Sequence, residues 1–424
     1  MLTNATMQQL EQAAADNYKQ LACLEALSCG GEVQEKDGLM WTYSGPDRGA
    51  SILFPALTEQ NAPVILDTIM DYYRAHPPAD GGCWSLSPAQ PAHLAAYLLA
   101  RGFQPGWLPY WMALDLEAIN DQHTTPADLQ ITPDNDTNIQ HLADLPYAAS
   151  TNMISQAFRD RNPAKAQRFL ATYQGAVAGQ SAVFFSTGTL GVAGIYNVGV
   201  QPNARGKGIG KAVTLAACLH AKEQGYRYAI LNATDMGRHI YTPLGFQWTG
   251  DGITWWLAGK RYLTHPPSRQ QIALAEATGK GDTAALDHLA NTLTPAALNT
   301  PLTNKMTLME LAVHCKQPAT AEWLIAHGAL YTAINAWDLG WQERCAALLA
   351  QNPQEVNRRY REGNITLLHM AIQRNDTALA KLALAANPDL TLRDSWHNST
   401  PLGWAMFFER AAVAAMIKAQ GGTQ

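Results

Sequence analysis

Six residues, Arg205-Gly206-Lys207-Gly208-Ile209-Gly210, limit what this chain can fold into more than any other stretch. They follow an apolar run, Ala193 to Val200, and a turn at Pro202, and they open a segment with helical apolar spacing, Lys211 to Gln224. A strand, a glycine-rich turn and a helix N-terminus in that order make a cradle for a pyrophosphate. Small residues let the backbone approach the ligand, and the first N–H groups of a helix have no internal partner. Two familiar cradles do not fit. A P-loop needs Ser or Thr after its lysine, whereas Ala212 follows Lys211, and its upstream glycine is missing. A dinucleotide fingerprint needs Gly-x-Gly-x-x-Gly, whereas Gly206, Gly208 and Gly210 are spaced two apart. The plain alternative is an ordinary Gly-rich connection between a strand and a helix.

The chain of 424 residues has room for two to four domains, and at 47% hydrophobic and 15% charged it can fill sizeable cores. A net charge of −5 argues against nucleic acid as a partner, because a phosphate backbone calls for a basic surface. No apolar run is long enough to cross a membrane, and Met1 to Gln20 hold no secretory h-region. The cysteines (Cys23, Cys29, Cys83, Cys218, Cys315, Cys345) form no CxxC pair. Reduced thiols, a cytoplasmic setting and no metal site are therefore expected.

Three blocks follow from the patterning. Residues 1–120 predict strands at Leu39–Tyr43, Ser51–Leu57, near Cys83–Leu86 and at Trp107–Leu116, with helices at Asn61–His76 and Pro91–Ala100. The polar stretch Asn120–Pro126 reads as a linker. Residues 127–260 predict a strand at Leu129–Thr132, helices between Ile139 and Arg159, and a hairpin of Arg168–Tyr173 and Ala176–Ser186 around Gln174-Gly175. The strand ending at Val200, the cradle and its helix come next, then a strand at Tyr228–Asn232, a short helix containing Tyr241, and a strand at Ile253–Leu257. This order is an α/β (α+β) pattern. The two blocks echo each other, since Arg101-Gly102-Phe103-Gln104 matches Leu244-Gly245-Phe246-Gln247. The first has no glycine cradle, and Leu98 stands where the second has Tyr241.

Residues 266–424 repeat. Thr366-Leu367-Leu368-His369-Met370-Ala371 and Thr400-Pro401-Leu402-Gly403-Trp404-Ala405 lie 34 positions apart, and Thr307-Leu308-Met309-Glu310-Leu311-Ala312 is a third copy. Second helices are expected at Ala319–His327, Glu343–Gln351, Asp376–Ala386 and Glu409–Ala419, with a degenerate unit at Gly281–Leu293. Paired helices at this period resemble ankyrin repeats. The interval from Thr307 to Thr366, 59 positions, is less than two periods, so one connection there is short or missing.

The second block resembles the GNAT superfamily of N-acetyltransferases over about Thr132 to Leu257. The matching residues are Arg205, Gly208 and Gly210 after a strand, then Tyr241 followed by Leu244-Gly245-Phe246. The resemblance implies tandem GNAT-like mixed sheets with flanking helices, followed by an all-α ankyrin-repeat solenoid. The first GNAT-like domain is degenerate and lacks the cofactor motif. It implies acetyl-CoA, or another acyl-CoA, as donor and no metal. Gly206, Lys207, Gly208, Ile209, Gly210 and Lys211 would hold the pyrophosphate, with Arg205 fixing the loop. Asn197, Val198, Gly199 and Val200 would pair with the pantetheine arm, and Tyr241 would donate a proton to the leaving thiolate. Thr234 stands where many members carry an Asn that touches the cofactor. No general base is legible; Asp235, His239, Tyr196 and Asn197 read as loop or packing residues. Trp107, Trp111, Trp255 and Trp256 suit strands burying one face, or a substrate cleft between the two copies.

A small-molecule amine is the expected acceptor. Alternatives are a protein lysine or N-terminus recruited by a partner surface on the ankyrin-like repeats, and a non-catalytic acyl-CoA-binding scaffold. Neither nucleic acid nor membrane is expected as a partner.

Overall fold

A 22-residue helix, α1 (Met7–Ser28), opens the fold, and Thr6 caps it by accepting from the Gln9 N–H while the Gln9 side chain accepts from the Thr6 N–H. The computed structural model describes residues 1–119, 126–135, 145–147, 153–234, 237–257, 265–290, 293–360 and 363–423. They fall into two units, Met1–Ile272 and Ala273–Gln424.

In the first unit the strands are β1 (Glu32–Lys36), β2 (Leu39–Tyr43), β3 (Gly49–Leu53), β4 (Asp80–Leu86), β5 (Gln104–Pro105), β6 (Tyr110–Asp115), β7 (Leu129–Asp134), β8 (Ala166–Tyr173), β9 (Ala176–Phe185), β10 (Ala193–Val200), β11 (Tyr228–Ala233) and β12 (Gln247–Leu257). The helices after α1 are α2 (Ala62–Ala75), α3 (Leu94–Ala100), α4 (Gln156–Arg161), α5 (Ile209–Glu223) and α6 (Arg238–Tyr241). Among the described residues the twelve strands form one sheet, ordered β1-β2-β3-β4-β12-β6-β11-β10-β9-β8-β7, with β5 on β12. The predicted hairpin is present, and Gln174 (φ 51°) and Gly175 (φ 80°) take the left-handed pair of a two-residue turn.

Each half carries one parallel strand pair joined by a helix, β3–α2–β4 and β10–α5–β11. The closing strands are interleaved between the halves. β6, from the first half, lies between β11 and β12. β12, from the second, pairs with β6 through Gln247–Asp251 and with β4 through Gly252–Leu257. The interleaved strands bury Trp111 and Trp255 completely.

Two local points of the patterning need correction. The strand expected at Ser51–Leu57 runs from Gly49 and stops at Leu53, because Phe54 turns to φ 46° and Pro55 has no N–H to continue the ladder. The helix α1 and the strand β1 were not expected from the patterning. Of the helices predicted between Ile139 and Arg159, only α4 falls within the described residues.

The second unit is a series of paired helices: 269–280 with 283–290, 308–314 with 318–326, 333–338 with 342–351, 367–373 with 377–385, and 401–407 with 411–419. Threonine opens the first helix of four pairs, at Thr307, Thr332, Thr366 and Thr400. The pair at 333–351 is complete, so the shortened interval lies between Thr307 and Thr332. Leu367, Leu368, Ala371, Leu379, Ala380 and Ala405 knit successive pairs into one apolar core.

Candidate functional site

β10 and β11 are both long enough to pair along their length, yet they pair only at Ala193↔Ala229 and Gly194↔Ile230 and then part. The cause lies on β10 itself. Its register with β9 slips between Tyr196 and Gly199, and Asn197 sits at φ 53°. Asn17, fully buried on α1, accepts a 2.7 Å bond from the Tyr196 hydroxyl and donates 3.0 Å bonds to Ser186 Oγ and the Val192 carbonyl. Only glycine fits beside it, since a Cβ on Gly194 would lie 2.2 Å from Asn17 Oδ1. Beyond the slip, Gly199 lets the segment at Pro146 lie on the strand; a Cβ there would meet the Pro146 carbonyl at 2.8 Å. The Gln180 side chain donates to that carbonyl at 2.7 Å. In the first half, by contrast, β3 and β4 stay paired from Gly49↔Asp80 to Leu53↔Trp84, so no comparable opening forms.

The opening leads to the cradle. Gly206 (φ 77°) and Gly208 (φ 80°) take left-handed conformations, and α5 begins at Ile209. Among the described residues, the N–H groups of 206–211 have no hydrogen-bond partner, and the first helical bond is from the Ala212 N–H to the Gly208 carbonyl at 3.1 Å. Six free donors at a helix N-terminus are suited to receive an anion. Arg205 Nε donates to the Val200 carbonyl at 3.3 Å, which ties the loop to the end of β10.

A cavity of about 1260 Å³ joins these parts. Asn197, Val198, Gly199, Val200, Arg205, Gly206, Gly208, Ile209, Gly210, Lys211, Thr234 and Tyr241 all line it. Lys207 does not, because its ammonium sits 4.7 Å over the Tyr173 ring. Thr234 accepts the Gly237 N–H at 3.1 Å, so its hydroxyl helps form the turn into α6. Tyr241 is 8% exposed, and burial pushes its phenol up to about 12, with Tyr147 and Cys218 adding in the same direction. Such a phenol stays protonated at neutral pH and is able to donate a hydrogen bond.

Of the residues weighed as a base, Tyr196 spends its hydroxyl on Asn17, His239 is exposed and off the cavity wall, and Asp235 lies outside the described residues. Trp107 and Trp256 line the cavity, whereas Trp111 and Trp255 are core. Cys218 is buried, and burial pushes its thiol far above the usual range.

Sequence reasoning missed the wall contributed by the first half, which includes Glu25, Thr42, Asp47, Arg48, Asp80 and Trp84, and also Asn232 on β11. Nothing in their local sequence marks them, because only the interleaved sheet brings them to the opening. Among the described residues, no group of three or more His, Cys, Asp or Glu is placed to hold a metal, and no helix is long and apolar enough to cross a membrane.

Residues 136–246 match the model of the acetyltransferase (GNAT) family. A stretch of 61 residues, 13% of this chain, is 43% identical to a mycothiol acetyltransferase from Actinosynnema mirum, of which it spans 20%. Similar solved structures include a GCN5-related N-acetyltransferase from Kribbella flavida (18% identity, TM-score 0.45, covering 58% of this chain and 96% of that one). Another is a tandem GNAT protein from the clavulanic acid biosynthesis pathway (14% identity, TM-score 0.41, covering 57% and 94%).

Proposed function

Given that residues 136–246 carry an acetyltransferase (GNAT) domain, we propose that the chain is an acetyl-CoA-dependent N-acetyltransferase acting on a primary amine of a small molecule. One observation carries this reading. The opening between β10 and β11, the free N–H groups of Gly206 and of Gly208 to Lys211, and the protonated phenol of Tyr241 all meet in one cavity.

The residues suit the parts of an acyl-CoA. The N–H groups of 206–211 take the pyrophosphate, and Arg205 and Lys211 add positive charge beside it. β10 no longer pairs with β11 beyond Gly194, and the stretch from Asn197 to Val200 is read as the strand that lies along the amide-bearing arm. The amine nitrogen attacks the thioester carbonyl directly. A C–N bond forms, the C–S bond breaks, the amine gives up a proton to solvent, and Tyr241 donates a proton to the leaving sulfur. Tyr241 then regains its proton from water.

We read residues 1–120 as a second, degenerate copy of the fold without a cradle, and 127–260 as the transferase domain. The unbroken β3–β4 pairing supports the first assignment. Residues 266–424 we read as ankyrin-type repeats, on the strength of their threonine-capped helix pairs.

The test is release of free thiol from acetyl-CoA with a panel of amines, comparing wild type with Tyr241→Phe. Amine-dependent release that falls at least 100-fold in Tyr241→Phe, with CoA affinity unchanged, supports the reading. A protein that binds CoA but transfers to no amine overturns it.

A further inference from the structure

The acceptor has to reach the same cavity, and the wall contributed by the first half carries its own chemistry. Resting on the transferase reading above, we propose that this wall selects an amine bearing a second protonated nitrogen, held by Asp47 and Asp80 at the end away from the reacting group.

The wall is built from one row across four strands. Thr42 on β2 faces Ser51 on β3, Ser51 faces Gly82 on β4, and Gly82 faces Trp256 on β12. Gly82 makes room for the indole, since a Cβ there would lie 2.8 Å from Trp256 Cζ3. Thr42 is 3% exposed and lines the cavity, yet among the described residues its hydroxyl has no hydrogen-bond partner. The hydroxyl opens onto the cavity, where a bound polar ligand can take it as a hydrogen-bond partner.

Charge decides the ligand's sign. One row along, the Asp80 carboxylate lies over Gly49, where a Cβ would meet Asp80 Oδ1 at 2.6 Å. Among the described residues neither Asp80 nor Asp47 has an ion-pair partner, and both line the cavity. The neighbouring cation, Arg48, is already neutralised by Glu25 at 2.8 Å. Glu25 is fixed in turn, as it also accepts the Ser155 N–H at 3.2 Å. Two carboxylates therefore remain uncompensated on this wall, opposite in sign to Arg205 and Lys211 at the cradle. The Trp256 indole against Gly82 is on the same wall, and an indole face attracts a cation. A carboxylate or phosphate on the acceptor would meet like charge and be rejected.

The experiment uses the full chain, acetyl-CoA and four acceptors. These are 1,5-diaminopentane, the cyclic diamine 2-deoxystreptamine, pentylamine and 5-aminopentanoate. At least one diamine is expected to exceed pentylamine by about tenfold in kcat/KM, the upper end of what two ion pairs to the exposed Asp47 and Asp80 provide. The aminopentanoate should be the poorest, and the better diamine tells a linear acceptor from a ring. Asp47→Asn combined with Asp80→Asn should bring the diamines down to the level of pentylamine, through KM, with CoA affinity unchanged. The inference is overturned if pentylamine or 5-aminopentanoate matches both diamines, or if the double variant keeps the preference. Calorimetry separates this from failure of the underlying reading. CoA that does not bind overturns the transferase assignment and this one with it. CoA that binds, with 1,5-diaminopentane then binding no tighter than pentylamine, overturns the charge selection alone.

Discussion

The Tyr196 hydroxyl donates a 2.7 Å hydrogen bond to Oδ1 of Asn17, so a residue of the first helix holds β10 at the point where it leaves β11. The bond crosses from one half to the other, and the same Asn17 side chain satisfies Ser186 and the Val192 carbonyl.

Asn17→Ala should therefore act on both stability and the donor site. It strands the Tyr196 hydroxyl, a loss of about 2 kcal/mol, whereas the Val192 carbonyl keeps its bonds from the Ser186 N–H and hydroxyl. Urea unfolding should show that loss, and KM for acetyl-CoA should rise more than kcat falls. An unchanged KM would show that the slip in β10 holds without this side chain.

Tyr241 should show its role in a pH profile. Burial pushes its phenol up to about 12, so the donor form is full at neutral pH and is lost only as pH rises toward that value. The wild-type kcat should show no alkaline fall from Tyr241 between pH 7 and about 10. An alkaline limb near 9 that disappears in Tyr241→Phe would contradict this assignment.

Gly208 offers a cleaner test of the cradle. At φ 80° with nothing within 4 Å of an added Cβ, Gly208→Ala should cost only the left-handed strain, about 1–2 kcal/mol. Gly30 (φ 77°) has the same open surroundings and serves as control. Both variants should melt slightly below wild type. Gly208→Ala alone should weaken CoA about tenfold, read by calorimetry, because its methyl group and the altered backbone disturb the row of N–H donors.

His369 makes the second unit sensitive to acid. It accepts from Thr366 at Nδ1 and approaches the Ser399 carbonyl through Nε2 at 3.3 Å. Burial pushes the imidazole down to about 4, so the folded unit holds it neutral while the unfolded chain binds a proton below about 6.5. The stability this confers is complete above about pH 6.5 and is lost as pH falls toward 4, about 3 kcal/mol in all. Thermal melts at pH 7 and 4.5 should show it. His369→Gln should flatten the dependence, and an equally steep loss in that variant would assign the acid sensitivity elsewhere.

Much of this site was legible because its signals are local. A strand, a glycine turn and a helix start lie within a few residues of each other, and the structure sets Arg205 to Gly210 and Tyr241 on one wall apart from Lys207, which turns to Tyr173. The helix α1 was hidden for a physical reason. Its inward face holds Asn17 and Glu25 among Leu10, Tyr18 and Leu21, so the two polar residues that make the long-range bonds also break the apolar stripe. The acceptor wall was hidden because strand pattern gives a face but not a neighbour. Nothing around Tyr110–Asp115 says that this strand will lie beside Tyr228–Ala233.

The interleaving of β6 and β12 also bears on the order in which the chain can mature. When translation has reached the end of the first half, β6 exists but its neighbours β11 and β12 do not, and β4 waits for the same β12. The first half cannot close its sheet as it leaves the ribosome. Both halves reach their native edges together, once residues 247–257 have emerged, and the first unit matures as a single late event rather than as two successive domains.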